Sequence, residues 1–299
     1  MATDTITGVE LKERAPVAAR GERTRLAALL APGLAYLLLF FAAPLLVIVL
    51  YSFATPGPTG RVEWTFTLDN YVTLFTRDIY VNAYVRSIWT GVVTTAICLL
   101  IGYPLALFIV RQPASLRSAL LFLILIPFWT NFLVRTYAWM ILLSNNGLIN
   151  SLIMALGLPR QPLYPSEGAV LLGLVYGELP FMVLPLYASL ARFDFTLMEA
   201  AADLGAGRWQ AFRRVMLPLT MPGVAAGSVL VFIPTVGQFV VSDLLGGAKV
   251  DLLGNLLQRL FMRSNPPNWP LGSAMAITFM AVLTAAIILY FRAVSEDER

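Results

Sequence analysis

The sequence predicts an all-α polytopic membrane protein with six transmembrane helices. Of its 299 residues, 58% are hydrophobic and 13% are charged, whereas soluble domains carry about 25% charged residues. Apolar runs of about 20 residues, long enough to cross the hydrocarbon layer of a bilayer, recur along the chain. The runs 34–50 and 274–291 are apolar on every face, whereas strands of a membrane barrel alternate apolar and polar side chains. The spans are therefore predicted to be helices.

The order of these runs predicts four segments. They are a polar cytoplasmic tail at residues 1–25, a first helix with an outer loop at residues 26–83, a five-span core at residues 84–292 and a second cytoplasmic tail at residues 293–299. The first run is too long for the core of a signal peptide, so it is expected to remain as an anchor. The core spans are expected at residues 84–110, 116–143, 168–190, 215–241 and 271–291.

The distribution of lysine and arginine predicts the orientation. With the N-terminus inside, 13 of these residues lie in cytoplasmic segments, 7 lie outside, and Arg135 lies within a span. Because positive charge is retained on the cytoplasmic side, both termini are expected there. Two outer segments, residues 148–156 and 252–262, are expected to form short amphipathic helices at the surface. Prolines inside the spans, among them Pro104 and Pro127, are expected to kink or break helices.

Composition excludes several kinds of site. The chain has no histidine and one cysteine, Cys98, so an intrachain disulfide and the usual zinc and haem sites are not expected. Cys98 is expected to be a small packing residue. The sequence has no Gly-Lys pair, so it lacks a P-loop for ATP phosphates. We expect no cofactor or metal on this chain, and the net charge of +4 is spread among loops and indicates no nucleic-acid partner.

The segment 193–214, between the fourth and fifth spans, has the pattern of two short helices joined by a turn. Thr196 and Glu199 have the spacing of a capping box, which predicts a helix start. The alanines that follow favour a helix with little bulk. Gly205 and Gly207 are expected to end it in a left-handed conformation.

Such a segment suits the docking of a soluble partner. Its alanines would let two surfaces approach closely, while Glu199, Asp203 and Arg208 could set the register. The alternative is an ordinary loop helix, and spacing alone does not decide between the two.

One motif in this segment resembles the EAA signature of ATP-binding-cassette (ABC) importer permeases. It consists of Glu199-Ala200-Ala201, Gly205 and Val215-x-Leu217-Pro218, with valine where isoleucine is usual. The resemblance implies the type I importer permease (MetI-like) fold. It also implies a coupling helix that contacts a cytoplasmic ABC ATPase dimer, where ATP is bound, through residues Thr196, Glu199, Ala200, Ala201, Asp203, Gly205, Arg208, Leu217 and Pro218.

Further stretches are similar to the spermidine/putrescine permeases of this superfamily, at residues 126–139, 179–187, 218–223, 241–249 and 269–272. This resemblance implies a bacterial-type cytoplasmic membrane, a second homologous permease in a hetero-dimer, an extracytoplasmic substrate-binding protein and contact with membrane lipids. Gln238 departs from relatives that carry an acid there.

Three ionisable residues at or near membrane depth, Arg135, Glu178 and Asp243, are candidates for the substrate pathway, because such groups normally face partners or water. Arg135 and Glu178 could equally form a structural pair. Aromatic rings could bind an ammonium group by cation–π attraction or could simply pack. The full candidate set is Trp129, Asn131, Arg135, Tyr137, Trp139, Glu178, Gln238 and Asp243.

Two other functions remain open from the sequence. The first is the same importer class with a different small solute. The second is an ion- or proton-coupled carrier or channel, which would suit intramembrane charges but gives no reason for an alanine-rich cytoplasmic helix.

Overall fold

The computed structural model of the protein describes residues 29–57 and 60–296. The predicted tail at residues 1–25 and the last three residues of the chain lie outside that part. The chain divides into two units, residues 1–50 and 51–299. The described part of the first unit, residues 29–50, belongs to helix α1, Leu29–Ser52, which contains a π-helical turn.

Among the described residues of the second unit, the regular secondary structure is helical apart from one short antiparallel strand pair, β1 Thr55–Pro56 and β2 Val62–Glu63. Its helices are α2 Asp69–Thr76, α3 Asp78–Val110, α4 Ala114–Trp129, α5 Phe132–Leu143, α6 Leu148–Ala155, α7 Glu167–Leu190, α8 Thr196–Asp203, α9 Arg208–Leu219, α10 Met221–Gly237, α11 Leu253–Gln258 and α12 Trp269–Glu296. A π-helical turn lies within α9 and another follows α11, while a third, Ser242–Gly246, precedes a 3-10 turn at Gly247–Lys249. The all-α prediction is confirmed.

Five helical segments in the described part are long and apolar enough to cross a bilayer, and a bent pair of helices makes six. The spans predicted at residues 84–110, 168–190 and 271–291 correspond to α3, α7 and α12, each of which extends beyond its predicted start. Pro104 leaves α3 continuous over 33 residues. The structure thus has a helix at each of these three positions, and each helix is longer than the apolar run from which it was predicted.

Two predicted spans are not single straight helices. The span expected at residues 116–143 is broken between α4 and α5 at Thr130 and Asn131. The span expected at residues 215–241 begins only at Met221, because α9 and α10 meet at an angle of 68° at Thr220. Both breaks lie near prolines, which lack the amide that a helix needs to continue its hydrogen bonds.

Helices α3, α7 and α10 pack together to form the centre of the second unit. Glycines in α10 allow close approach to α7: a Cβ on Gly223 would lie 2.4 Å from the Cβ of Ser189, and one on Gly227 would lie 2.8 Å from the Sδ of Met182. Cys98 is fully buried in this core, as the sequence predicts. The core reaches the end of the bundle that carries residues 191–220, which we call the loop end.

The opposite end of the bundle holds the two segments predicted to be surface helices. Helix α6 exposes Leu152, as expected. Helix α11 does not lie on the surface, because Leu253 and Leu256 are buried against α2, α3 and α12. Asn255 in α11 binds the Ser242 hydroxyl at 2.6 Å, the Leu252 amide at 3.1 Å and the Phe239 carbonyl at 3.2 Å. These polar bonds make the segment part of the core.

Candidate functional site

The segment between α7 and α10 forms two helices at the loop end, as predicted, but its start is capped differently. The Asp194 carboxylate accepts hydrogen bonds from the Thr196 amide at 3.0 Å and from the Thr196 hydroxyl at 2.8 Å. These bonds lower the pKa of Asp194 below its usual value. The prediction that Thr196 and Glu199 form a capping box is therefore wrong. The negative carboxylate takes that role because it is the stronger acceptor for amides at a helix N-terminus.

Helix α8 ends in a Schellman motif. The Gly205 amide bonds the Ala202 carbonyl and the Ala206 amide bonds the Ala201 carbonyl, both at 2.9 Å. Gly205 has φ of +85°, so the predicted left-handed end is confirmed at this residue. Gly207 has φ of −66° and precedes the first residue of α9, so the same prediction is wrong there.

One face of this segment is open to solvent. The side chains of Glu199, Asp203 and Arg208 are exposed, and so are two large apolar residues, Leu204 at 90% and Trp209 at 71%. Ala200 is exposed and Ala201 is partly covered. Exposed apolar side chains flanked by charges are typical of a protein interaction surface.

The other face of the segment packs on the central core. Met198 of α8 and Phe212 of α9 contact the buried cluster that includes Met216 and Leu190. The Arg111 guanidinium lies 5.6 Å from the centre of the Phe195 ring, within cation–π range. The segment is therefore held against the bundle while its outer face is left open.

Leu217 and Pro218, the last two residues of the EAA motif, lie in the final turn of α9 before the bend. Leu217 packs against the core and Pro218 is exposed. They therefore belong to the bend between α9 and α10 and do not contribute to the exposed face.

Three of the candidate pathway residues line one cavity of about 340 Å³ between α5, α7 and the end of α10. They are Arg135, Glu178 and Gln238. Glu178 is 9% exposed, and its Oε2 atom has no hydrogen-bond partner among the described residues. Gln238 accepts hydrogen bonds from the Phe239 and Val240 amides.

The predicted structural pair of Arg135 and Glu178 is not formed as a direct ion pair among the described residues. The Arg135 guanidinium instead donates to the Pro127 carbonyl at 3.0 Å, across the break between α4 and α5. It also lies 5.7 Å from the ring centres of Phe132 and Tyr176. Arg135 therefore stabilises the broken span, and Glu178 lines the cavity while its buried Oε2 atom has no partner among the described residues.

The other pathway candidates lie outside this cavity. Asn131 caps α5, because its side chain accepts hydrogen bonds from the first amides of that helix. Trp139 packs edge-on against Tyr176 at 5.4 Å. Asp243 is paired with Arg263 at 3.0 Å. Trp129 and Tyr137 are exposed, and neither lines the cavity that contains Glu178.

Sequence reasoning missed Asp194, Thr130, Tyr103 and Thr220. Asp194 could have been found, since aspartate two residues before an alanine-rich helix is a strong capping signal. Thr130 lines the cavity, and nothing in its local sequence indicates this. Tyr103 and Thr220 bond each other across 117 residues of sequence, which no local pattern encodes.

The chain matches a family of known proteins over most of its length. Residues 98–297 match the family described as "binding-protein-dependent transport system inner membrane component". The chain is 43% identical to the spermidine/putrescine transport system permease protein PotB of Escherichia coli over 260 residues, which cover 86% of this chain and 94% of that protein. The PotB protein of Haemophilus influenzae is 42% identical over the same length, covering 86% and 90%.

The fold also matches a solved structure. A chain of a bacterial ABC transporter involved in import of the acidic polysaccharide alginate superposes with a TM-score of 0.69 at 20% identity, over 93% of this chain and 98% of that chain. At this identity the match is evidence of a shared fold alone.

Proposed function

Because the chain belongs to the family of binding-protein-dependent transport system inner membrane components, we propose that it is a permease subunit of an ABC importer for spermidine or putrescine. The likeness to PotB over most of both chains supports the substrate class. The alginate transporter has the same fold, so the fold by itself does not select a substrate.

The observation that carries the coupling role is the exposed helix α8 with its two rigid ends. Asp194 and Gly205 fix where this helix starts and stops, and its charged and apolar outer side chains are free to contact a partner. The proposed partner is a cytoplasmic ATPase, as the resemblance to ABC importer permeases implies; the sequence itself contains no P-loop. Glu199, Asp203, Leu204 and Arg208 form the contact.

This contact requires the loop end to face the cytoplasm. The excess of lysine and arginine in the predicted cytoplasmic segments supports this orientation, which also puts both termini inside. The opposite end, with α6 and α11, then faces the substrate-binding protein. Six spans are few for an enclosed pathway, so a second homologous permease completes it in a hetero-dimer, and an ATPase dimer drives the pair.

Glu178 is the candidate contact for the substrate. A polyamine carries ammonium groups, and Glu178 lines the same cavity as Arg135 without pairing with it, leaving one carboxylate oxygen with no hydrogen-bond partner among the described residues. A hydrogen bond to a charged group contributes about 1.5–3 kcal/mol. Removing the charge should therefore reduce uptake about 10- to 100-fold at limiting substrate.

The test uses the importer purified through a tag on this chain and reconstituted in liposomes. We expect a co-purifying ATPase and spermidine uptake that requires ATP. Glu178→Gln should reduce uptake, whereas Glu167→Gln should not. Glu167 lies on the same helix but is exposed and paired with Arg86.

Two results would contradict the proposal. Uptake driven by an ion gradient without an ATPase would favour the coupled-carrier alternative. ATP-driven uptake of another solute, with no response to polyamines, would keep the importer class and reject the substrate.

A further inference from the structure

The bend between α9 and α10 is set by two prolines and a buried threonine. Pro222 has no amide, so the carbonyl four residues earlier, that of Pro218, lacks its helical donor, which favours a bend at this point. Thr220 lies at the corner and is fully buried. Its amide bonds the carbonyls of Met216 and Leu217 at 3.0 and 3.2 Å. The corner is thus closed by local bonds.

The Thr220 hydroxyl ties this corner to another helix. It lies 2.8 Å from the hydroxyl of Tyr103 in α3 and 2.9 Å from the Met216 carbonyl. A carbonyl can only accept, so the Thr220 hydroxyl can donate to Met216 or, at 3.2 Å, to Leu217 while accepting from the Tyr103 hydroxyl, and both bonds can be made at once. Tyr103 is 6% exposed, so water cannot easily replace this bond.

Two further contacts hold α9 to the central core. The Tyr103 ring packs edge-on against Phe212 with ring centres 5.5 Å apart. The Ser189 hydroxyl of α7 donates to the Thr220 carbonyl at 3.4 Å. Tyr103 therefore contacts α9 through its ring near the start of that helix and through its hydroxyl at the end.

We propose that Tyr103 and Thr220 are positioning residues for transport: their hydroxyl pair transmits displacement of α8 and α9 to the packed helices α3, α7 and α10. This rests on the proposed function, in which α8 receives the force from the ATPase. Without the pair, the Thr220 corner loses its polar link to α3, and a smaller part of a movement of α8 reaches the spans. ATP is then hydrolysed with less transport.

The test compares spermidine uptake per ATP hydrolysed in the reconstituted importer. Tyr103→Phe and Thr220→Val should each lower this ratio about fivefold, the factor that one net hydrogen bond contributes to an equilibrium. Thr220→Ser keeps the hydroxyl and should retain the wild-type ratio. The double variant should be no worse than the single variants, because both remove the same bond.

The chain provides a matched control for each substitution. Tyr84→Phe removes a tyrosine hydroxyl from the same helix, one that bonds the Met275 carbonyl at 2.7 Å. Thr235→Val removes a fully buried threonine hydroxyl from α10 whose bond, among the described residues, is to the Val231 carbonyl of its own helix. Neither touches α9, so both should keep the wild-type ratio.

The proposal is overturned if Tyr103→Phe and Thr220→Val take up as much spermidine per ATP hydrolysed as their controls. It is also overturned if Thr220→Ser lowers this ratio as much as Thr220→Val does. Should Thr220→Val not assemble, the comparison of Tyr103→Phe with Thr220→Ser decides, since both keep nearly all of the packing. A wild-type complex with no ATP-driven uptake would instead reject the proposed function, so the two failures are distinguishable.

Discussion

Replacing Gly205 by alanine tests whether the end of α8 must be rigid. At φ of +85°, a residue with a Cβ is strained by about 1–2 kcal/mol. No atom lies within 4 Å of the position that a Cβ would occupy, so this cost is conformational and involves no clash. It lowers the population of the native turn about 5- to 30-fold relative to competing conformations. Gly205→Ala should therefore reduce polyamine uptake while the chain still inserts and assembles.

Gly207 is the matched control for this substitution. It also has open space around its Cβ position, but its φ of −66° suits any residue. Gly207→Ala should leave uptake unchanged. Gly205→Asn should fall between the two, because asparagine tolerates the left-handed region better than alanine.

The assay is spermidine uptake and ATP hydrolysis by the reconstituted importer, together with hydrogen exchange of the Gly205 and Ala206 amides. Faster exchange in Gly205→Ala than in Gly207→Ala would show that the turn has loosened. Equal uptake in the two alanine variants, whether both normal or both impaired, would refute the argument that this turn conformation matters.

Three further outcomes follow from the described contacts. Folding lowers the pKa of Asp194, so its carboxylate stabilises α8 above the usual pKa of 3.8, and this stabilisation is lost as pH falls through the lowered pKa. Amide exchange in α8 should therefore become faster at low pH. Asp194→Asn should remove this pH dependence. Asn255→Ala removes three hydrogen bonds and should cost about 2–4 kcal/mol, lowering the melting temperature in detergent, while exposed Asn146→Ala should not. Gly223→Ala places a methyl group 2.4 Å from a neighbouring side chain and should lower the stability of the folded protein by about 1–3 kcal/mol. Gly168→Ala, whose new methyl group would have its nearest contact at 3.7 Å, should leave the stability unchanged.

The spans and the exposed helix were predictable because their causes are local in sequence. Apolar runs of membrane length define α3, α7 and α12 without reference to neighbours. Alanine runs and glycine likewise define α8 and its end. The wrong cap shows the limit of this approach: Asp194 and Thr196 are both good capping residues, and the choice between them depends on a small difference in acceptor strength.

The bend and the cavity could not be predicted because they depend on contacts between distant residues. Pro104 leaves α3 continuous, whereas Pro222 accompanies a bend of 68°, so proline alone does not determine the outcome. Arg135 and Glu178 are 43 positions apart, and whether they pair depends on how α5 and α7 pack. The Pro127 carbonyl, freed by the broken span, competes for the guanidinium.

The exposed Leu204 and Trp209 side chains also have a consequence for biogenesis. A subunit made without its ATPase would present these two side chains to the cytosol, where chaperones and proteases bind exposed apolar segments. We therefore expect the free subunit to be short-lived and its abundance to follow that of its partner. Pulse–chase measurement with and without ATPase co-expression, compared with a Leu204→Ser, Trp209→Ser variant, would reveal this dependence.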